Sequence, residues 1–303
     1  MSADAPSVAI VIPVRNGEAM VRACVAACLA QSRRAREVIV VDNGSTDRTA
    51  SEAAAAGATV LFESRRGSFM ARNRGWRAAA ADIIAFTDVD CVPEPTWLAE
   101  LTEPFGRADV EGVGGAIVQA DRNSASQRWI VERRFLDQQF NADHVFLPFF
   151  ATANVAYRRR VLEELDGFDE TFHHTAGDND MSWRVQALAG GHLVYRPSAR
   201  VQHHVGESAT EVTARWRRYS AGIYLLERRW SQWPGFPETP GFWRRTRRVW
   251  ELPFALAHRA ATRRPLSIAA IDAAVAVSSE IGRFKGYLDA RTNPVTPLRG
   301  PSR

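Results

Sequence analysis

Lysine is nearly missing from this 303-residue chain, because Lys285 is the only one and arginine carries almost all of the positive charge. The net charge of +5 fits a nucleic acid, an anionic membrane surface or a phosphorylated small molecule as partner, and does not choose among them. The composition, 46% hydrophobic and 24% charged, excludes a wholly disordered chain. This length allows one large domain, or one domain with a substantial appendage.

Long apolar runs and targeting signals are also lacking. No segment reaches the roughly 18 uninterrupted apolar residues of a membrane-spanning helix, and MSADAPSVAI at the N-terminus lacks the basic stretch of a secretory signal. Cys24, Cys28 and Cys91 lack a zinc-type Cys-x2-Cys spacing, and their odd number fits a reducing cytoplasm better than a disulfide framework. We expect all three to be small buried side chains of a cytoplasmic protein.

Short apolar runs alternate with helical stretches over the first ninety residues. The pattern predicts strands over residues 7–14, 37–42, 58–64 and 82–90, with helices before residue 31, from residue 47 and over residues 68–81. Strands buried on both faces and alternating with helices indicate a parallel sheet with right-handed crossovers. The expected fold class is therefore α/β, a Rossmann-like three-layer α/β/α arrangement around a mostly parallel sheet.

Beyond residue 112 the pattern becomes mixed. It predicts strands over 111–119 and 147–157, an amphipathic helix over 124–140, helices over 158–165 and 178–191, and one or two short strands over 192–204. From Ser208 the chain is helical and rich in Arg and Trp, with a linker marked by three prolines from Pro234 to Pro240. The apolar run over 266–282, interrupted by Asp272, predicts a packed helix.

The stretch IIAFTDVDCVP places Asp88 and Asp90 at the end of the fourth predicted strand. Side chains two apart on an extended chain point to the same face, and two close carboxylates repel unless a cation lies between them or one is protonated. An isolated Asp-x-Asp is usually an Asx turn. Here, however, the acidic turns follow the carboxyl ends of strands, where ligands of open α/β sheets bind, and Asp42 also ends a strand.

Two enzyme classes use Asp-x-Asp at such a position. Haloacid-dehalogenase-type phosphatases carry it after their first strand and require a later lysine, whereas this chain has it after a fourth strand and has only Lys285. Enzymes that transfer a sugar from a nucleotide donor use it to hold Mg²⁺ or Mn²⁺, which steadies the departing diphosphate. They also need a distant carboxylate that deprotonates the acceptor hydroxyl, and AGDNDMSW supplies one at a helix N-terminus.

Taken together, these segments resemble a family 2 glycosyltransferase with the GT-A fold, over about residues 7–205. The resemblance rests on the order and spacing of VAIVIPVRNGE, EVIVVDNGSTDRT, GSFMARNRGW, IIAFTDVDCVP, ANVAYRRRVLEELDGFDETF and AGDNDMSWR. It implies an inverting transfer from a nucleotide-diphosphate sugar to a hydroxyl of a glycan, a lipid-linked acceptor or a small molecule, with Mg²⁺ or Mn²⁺ as cofactor. It places the enzyme in cell-envelope polysaccharide synthesis.

The resemblance also implies roles for individual residues. Asp178 corresponds to the general base, with Asp180 as the reserve, although Gly177 replaces the first acid of the family's Glu-Asp pair. Asp90 corresponds to the metal ligand, and His203 or His204 could reach the ion or the leaving phosphate. The nucleotide-sugar site would be formed by Pro13, Arg15, Glu18, Asp42, Arg72, Asn73, Asp88, Trp183 and Arg184. His173 and His174 would face the acceptor or solvent.

The last hundred residues leave three interpretations open. Segments such as RWRRYSAGIYLLERRW interleave Arg and Trp, which is typical of a helical appendage with solvated arginines, of helices lying in a membrane interface, and of nucleic-acid binding, the least favoured of the three. We therefore expect a catalytic domain over 1–207 and a helical appendage over 208–303, in a cytoplasmic enzyme or one held peripherally at the inner face of the membrane. The missing first acid at Gly177 keeps a non-catalytic nucleotide-sugar-binding subunit as the competing hypothesis.

Overall fold

In the computed structural model, the described residues are 5–120, 123–173, 175–204, 208–240, 242–262 and 266–300. Their contacts divide the chain into two compact units. The first unit comprises residues 1–120, 136–173 and 177–204, and the second comprises 121–135, 174–176 and 205–303. The segment 121–135 therefore groups with the C-terminal helices although it lies far from them in the sequence.

Eight strands form a single sheet in the first unit. They are β1 (Val8–Val14), β2 (Glu37–Asp42), β3 (Thr59–Phe62), β4 (Ile83–Thr87), β5 (Cys91–Pro93), β6 (Val110–Gln119), β7 (Asn154–Arg158) and β8 (His192–His203). Their order across the sheet is β3-β2-β1-β4-β7-β6-β8-β5. The pairs β1 with β2, β1 with β4, β2 with β3 and β6 with β8 are parallel, and the other three are antiparallel. The sheet is therefore more mixed than the sequence pattern predicted.

Helices cover both faces of this sheet, as a three-layer α/β fold requires. The helices of the first unit are α1 (Val21–Leu29), α2 (Thr49–Ala55), α3 (Ser68–Ala78), α4 (Trp97–Thr102), α6 (Gln138–Ala142), α7 (Arg159–Glu164) and α8 (Gly177–Ala187), with α5 (Ala125–Glu132) in the second unit. Every residue of β1 and β4 is buried, which is why both read as uninterrupted apolar runs. The predicted α/β architecture is confirmed.

Some element boundaries differ from the prediction. The helix predicted over 124–140 is split into α5 and α6, because Arg134 and Leu136 between them adopt left-handed backbone conformations with φ of 52° and 61°. The strand predicted over 147–157 is reduced to β7, since the preceding chain is held by the Gln138 carboxamide, which accepts a hydrogen bond from the Ala151 N–H at 2.9 Å. The short strand β5 was not predicted at all.

The register of the sheet places the functional loops at one edge. Val14 at the end of β1 pairs with Asp42 at the end of β2, and Val11 pairs with Phe86 near the end of β4. The carboxyl ends of these parallel strands therefore open into neighbouring loops. On the other side of the sheet, β5 pairs antiparallel with β8, so that Cys91 lies opposite His203. This pairing brings a residue of the last strand to the Asp-x-Asp turn.

The second unit is helical. It contains α5, α9 (Ala209–Trp230), α10 (Phe242–Arg245), α11 (Arg247–Trp250), α12 (Leu252–Ala261) and α13 (Leu266–Thr292). Its core consists of Trp129, Ile130, Val212, Ile268, Ile271 and Val275. Asp272, which interrupts the apolar run of α13, is buried and accepts hydrogen bonds from Trp129 Nε1 at 2.9 Å and from Arg133 Nε at 2.8 Å. The predicted packed helix is confirmed, and its polar interruption ties α13 to α5.

Among the helices of the described ranges, none is sufficiently long and apolar to cross a bilayer. The three cysteines are buried free thiols, as predicted.

Candidate functional site

The ends of β1 and β2 carry four of the nine residues predicted to form the nucleotide-sugar site. Asp42 is 4% exposed, and its Oδ1 accepts a hydrogen bond from the Ser45 N–H at 2.8 Å. Pro13 is buried in the neighbouring strand β1, while Arg15 is exposed, with its Nε 3.5 Å from the Gly44 carbonyl oxygen. Glu18 accepts a hydrogen bond from Arg48 Nε at 2.8 Å, and this contact lowers the pKa of Glu18. The Asp42 carboxylate is thus fixed at the end of β2, and the Arg15 guanidinium on the neighbouring turn is exposed.

Asp88 and Arg72 form the centre of the site. Arg72 Nη2 donates to Asp88 Oδ1 at 2.5 Å, and the Arg72 side chain is 5% exposed while that of Asp88 is 33% exposed. The guanidinium carbon of Arg72 lies 5.4 Å from the centroid of the Phe69 ring, a cation–π contact. Burial raises the pKa of Asp88, and the nearby charge of Arg72 opposes that shift. The two predicted residues are therefore in contact, and the Asp88 side chain is partly exposed to solvent.

Asp90 lies in a cluster that could hold a divalent cation. His203 Nε2 is 3.4 Å from Asp90 Oδ2, and the ligand atoms of Asp90, Cys91 and His203 all lie within 4.8 Å of one another. Burial raises the pKa of the Cys91 thiol well above its usual range, which makes it a less favourable ligand than the carboxylate and the imidazole. The carboxylate oxygen and the imidazole nitrogen are donors that Mn²⁺ accepts, and Asp90 remains 27% exposed on its open side. These residues fit an ion whose remaining positions are filled by a ligand from solution.

Gln119 orients the histidine of this cluster and was missed by the sequence analysis. Its Oε1 lies 3.2 Å from His203 Nδ1 and can accept a hydrogen bond from that nitrogen, a contact that fixes the orientation of the ring whose Nε2 lies beside Asp90. The sequence pattern placed Gln119 at the end of a predicted strand. The pairing of β6 with β8, which places Gln119 opposite His203, cannot be read from one sequence.

Two buried nitrogen atoms flank the acidic pair without a partner. Within the described residues, Arg72 Nε and Gln119 Nε2 are buried and make no hydrogen bond. Buried donors of this kind are rare in native proteins, and each loses free energy unless something accepts its hydrogen. Both belong to residues that touch the acidic pair or its histidine. Two unsatisfied donors are therefore buried beside the acidic cluster.

Asp178 begins helix α8 and belongs electrostatically to the same site. Burial raises the pKa of Asp178, the charge of Arg72 lowers it, and the charge of Asp88 raises it. Its Oδ1 accepts a hydrogen bond from the Asn179 N–H at 3.1 Å. Because the same arginine acts on Asp88 and on Asp178, the two predicted carboxylates share one electrostatic environment. A carboxylate with a raised pKa at a helix N-terminus is suited to accept a proton.

Gly177 is explained by packing. A Cβ atom at this position would lie 2.6 Å from Cε2 of Phe69, closer than such atoms approach in real structures. The Phe69 ring in turn stacks on Phe168 at 5.4 Å between centroids and lies under the Arg72 guanidinium. The aromatic ring thus occupies the space that a glutamate side chain at 177 would need. A side chain at position 177 would therefore require the Phe69 ring to move.

Other predicted residues are held inside the scaffold around the site. Asp180 is fully buried and accepts from Arg184 Nε at 2.7 Å, while Arg184 also donates to the Leu165 and Gly167 carbonyl oxygens. Asn73 is buried, and its Nδ2 donates to the Phe168 carbonyl oxygen at 2.8 Å. Trp183 Nε1 donates to the Leu147 carbonyl oxygen at 2.9 Å. The contacts of these side chains fix the loops that precede α8.

The remaining histidines are placed differently from His203. His204 is exposed, and its backbone N–H donates to the Asp90 carbonyl oxygen at 2.8 Å, which joins the end of β8 to the Asp-x-Asp turn. His173 is exposed and has a left-handed backbone with φ of 49°. His174 lies outside the described residues. The ring of His203, by contrast, is buried and lies beside the Asp90 carboxylate.

We expect Gln119→Ala to weaken binding of Mn²⁺ by about 10- to 100-fold, because the substitution removes the group that orients His203. Isothermal titration of the purified protein with MnCl₂ in the presence of a nucleotide diphosphate measures this affinity. Gln202→Ala is the matched control, since Gln202 lies next to His203 on β8 but donates to Glu94 Oε1 at 2.8 Å. Equal affinities for the two variants would contradict the positioning role.

Comparison with known proteins identifies the family. The family model described as "Glycosyl transferase family 2" matches residues 9–166, or 158 of the 303 residues. The match includes Asp42, Asp88 and Asp90, whereas Asp178 and His203 lie beyond its end.

Among curated proteins, the chain is 29% identical to the glycosyltransferase AglE of Haloferax volcanii over 241 residues, covering 75% of this chain and 77% of that protein. It is 33% identical over 205 residues to the pre-mycofactocin glycosyltransferase of Mycobacterium tuberculosis, covering 65% of this chain. The match spans only 42% of the length of that mycobacterial protein.

Among solved structures, the mannosyltransferase PcManGT of Pyrobaculum calidifontis, in complex with GDP-Man and Mn²⁺, superposes with a TM-score of 0.62 at 20% identity. The match covers 94% of this chain and 88% of that chain. At this identity the likeness concerns the fold, which is the GT-A fold expected from the sequence. The family match, the relatives and the fold all point the same way. The chain belongs to glycosyltransferase family 2 and is a glycosyltransferase.

Proposed function

We propose that this glycosyltransferase moves a sugar, with inversion, from a nucleotide-diphosphate sugar to an acceptor hydroxyl, with Mn²⁺ or Mg²⁺ as cofactor. The observation that carries the proposal is the shared environment of Asp88, Arg72 and Asp178, next to Asp90 and His203. The acidic pair with His203 could bind a divalent ion. The separate carboxylate of Asp178 could accept a proton. A haloacid-dehalogenase-like phosphatase is set aside, because the chain belongs to a different family.

In this proposal the turn after β2 recognises the nucleotide. Asp42 accepts a hydrogen bond from the base, with Pro13 and either Arg15 or Glu18 lining the same pocket. The buried and fixed position of Asp42 supports this role, because an oriented carboxylate discriminates between donors without further reorganisation. Asp88 contacts the ribose or the donor sugar, and the guanidinium of Arg72, which is paired with Asp88, contacts the diphosphate. Asn73, Trp183 and Arg184 act by fixing the loops around this pocket.

Asp90 and His203 would hold the divalent ion, oriented by Gln119. When bound, such an ion neutralises the negative charge that develops on the departing diphosphate. Asp90 supplies an oxygen ligand and His203 a nitrogen ligand, which is a set that accommodates Mn²⁺ more readily than Mg²⁺. His204 contributes through its backbone contact to Asp90.

Asp178 acts as the general base. The acceptor oxygen attacks the anomeric carbon, and the bond from that carbon to the diphosphate oxygen breaks, with the electron pair leaving on the nucleotide diphosphate. Asp178 takes the proton of the acceptor hydroxyl. Asp180 lies two residues after Asp178 on the same helix and acts as the ion-pair partner of Arg184. The raised pKa of Asp178 supports the assignment, since a stronger base than an ordinary aspartate accepts the proton more readily.

The proposal also covers the location of the catalytic residues, the class of acceptor and the donor. We place the catalytic machinery in residues 1–207, in a cytoplasmic enzyme of cell-envelope polysaccharide synthesis, with a glycan, a lipid-linked sugar or a small molecule as acceptor. GDP-mannose is the first donor to test, because the Pyrobaculum enzyme of the same fold was solved with it.

Slow donor hydrolysis tests the reaction without knowledge of the acceptor. The purified chain is incubated with GDP-, UDP- and dTDP-sugars with MnCl₂, and release of nucleotide diphosphate is followed. We expect one donor to be hydrolysed, and addition of EDTA to reduce the rate to background. If no donor were hydrolysed while nucleotide diphosphates still raised the melting temperature, the non-catalytic binding subunit would be the better description. Release of inorganic phosphate from simple phosphomonoesters would instead restore the phosphatase hypothesis.

A further inference from the structure

Charge is divided unequally along this chain. Residues 208–303 contain 17 Arg and Lys against 7 Asp and Glu, a net charge of +10, whereas residues 1–207 contain 22 against 27, a net charge of −5. The modest overall charge of +5 therefore hides a strongly basic C-terminal part. A basic surface of this kind attracts anionic partners over distances of about one Debye length, roughly 8–10 Å at physiological salt.

Helix α13 of the second unit carries an exposed apolar stripe. Val277, Ile281, Phe284 and Leu288 are 49%, 51%, 63% and 44% exposed. Their spacing of four, three and four residues places all of them on one face of the helix. The other face is buried, with Ile268, Asp272 and Val275 in the core of the unit. Since burial of the core does not require this stripe, it is available for a partner of the second unit.

Neighbouring helices expose aromatic side chains, and α13 itself exposes basic ones. Helices α11 and α12 both contact α13, and they expose Trp250 at 57% and Phe254 at 78%. Lys285 and Arg291 are exposed on α13 beside the stripe. Large aromatic side chains next to Arg and Lys are typical of helices that lie in the interface of a membrane, where apolar groups enter the acyl region and cations meet the headgroups.

We infer that the face of the second unit formed by Val277, Ile281, Phe284 and Leu288 docks onto an anionic lipid surface, with Lys285 and Arg291 contacting the headgroups. The charge of +10 favours this partner over a second copy of the chain, because two such units repel each other. The apolar stripe favours it over a nucleic acid, whose phosphates would leave these side chains without a partner. The inference is independent of the reaction proposed above.

Flotation with lipid vesicles tests the inference. The full chain, without sugar donor, is mixed with vesicles of phosphatidylcholine alone or of phosphatidylcholine with roughly 30% phosphatidylglycerol, a composition chosen to approach the charge density of anionic leaflets. We expect at least about tenfold stronger binding to the anionic vesicles, which added salt reduces. Ile281→Gln with Phe284→Gln should lower binding by about tenfold or more, and Lys285→Gln by a few-fold.

Phe62→Gln is the matched control, because Phe62 is 68% exposed on β3 in the first unit and its loss should leave vesicle binding unchanged. Circular dichroism and thermal melting show whether each variant is folded. Equal binding to neutral and anionic vesicles, or full binding by the Ile281 and Phe284 variant, would overturn the inference. So would a dimer that dissociates in that variant, or binding to an oligonucleotide and not to vesicles. None of these readouts involves donor hydrolysis, so the inference and the proposed reaction fail separately.

Discussion

Asp178→Asn is expected to lower sugar transfer by about 10²- to 10⁴-fold while nucleotide diphosphate still binds. The substitution keeps the shape of the side chain and its acceptor for the Asn179 N–H but removes the ability to take a proton. Rates of transfer or of donor hydrolysis, together with titration of the nucleotide diphosphate, measure the two effects. The variant separates proton transfer from binding, because asparagine cannot ionise.

The same substitution should stabilise the protein at neutral pH. Burial raises the pKa of Asp178 above its ordinary value of about 3.9, so the folded state favours the protonated form. The stability that this group contributes is complete below the ordinary pKa and is lost as the pH rises through the raised pKa. Asparagine avoids that loss. The variant should therefore melt at a higher temperature than the wild type near pH 7, and the difference should vanish toward about pH 4.

Asp180→Asn is the contrasting variant for this prediction. Because Asp180 is fully buried and pairs with Arg184, removal of its charge leaves a buried guanidinium without its counterion and should destabilise the fold by about 3 kcal/mol. The raised pKa of Asp178 also predicts that kcat/KM falls on the acidic side at a higher pH than for an ordinary aspartate. Wild-type transfer by the Asp178 variant, with loss of transfer in a stable Asp180 variant, would reverse the two assignments.

Asp90→Asn is expected to lower metal-dependent transfer by about 10³-fold, because the carboxylate oxygen is the charged ligand of the proposed ion and metal-assisted charge stabilisation is worth several kcal/mol. The neutral amide is a much weaker ligand for Mn²⁺. Thermal shift measures the loss of metal binding. Mn²⁺ added with a nucleotide diphosphate should raise the melting temperature of the wild type and not that of the variant.

Asp166→Asn is a suitable control for the charge change, because the Asp166 carboxylate is 91% exposed and pairs with Arg77, which does not belong to the Asp90 cluster. It should retain both transfer and the Mn²⁺ response. An Asp90 variant that kept its Mn²⁺ response would place the ion elsewhere. In that case EDTA should still inhibit the variant, and the ligands would have to be sought among other residues.

Much of the fold could be predicted because the sequence patterns are local. Strands β1, β2 and β4 read as apolar runs since both of their faces are buried, and each is followed by a polar turn. The rule that ligands bind at the carboxyl ends of parallel strands is then sufficient to predict that Asp42 and Asp88 lie near one another. Asp178 was identified by its position at a helix start, which also depends on neighbouring residues only.

The rest depends on contacts between distant segments, which one sequence does not encode in a readable form. Sequence reasoning gave His203 and His204 equal weight, and only the pairing of β5 with β8 turns the ring of His203 toward Asp90. Gln119 was likewise not predicted, because its position opposite His203 depends on the pairing of β6 with β8. The resemblance placed Asn73 and Arg184 in the nucleotide-sugar site, and the structure adds that both donate hydrogen bonds to backbone carbonyl oxygens of the loop at 165–168.

The pairing of Asp90 with His203 has a consequence for handling the protein. The two residues are 113 positions apart in the sequence, so both donors meet only after the sheet has closed from β5 to β8. An unfolded chain cannot chelate an ion with this pair, and any divalent cation that binds there favours the folded state in proportion to its concentration. We expect preparations stripped by a chelator to melt at a lower temperature, and to regain the difference when Mn²⁺ is added back.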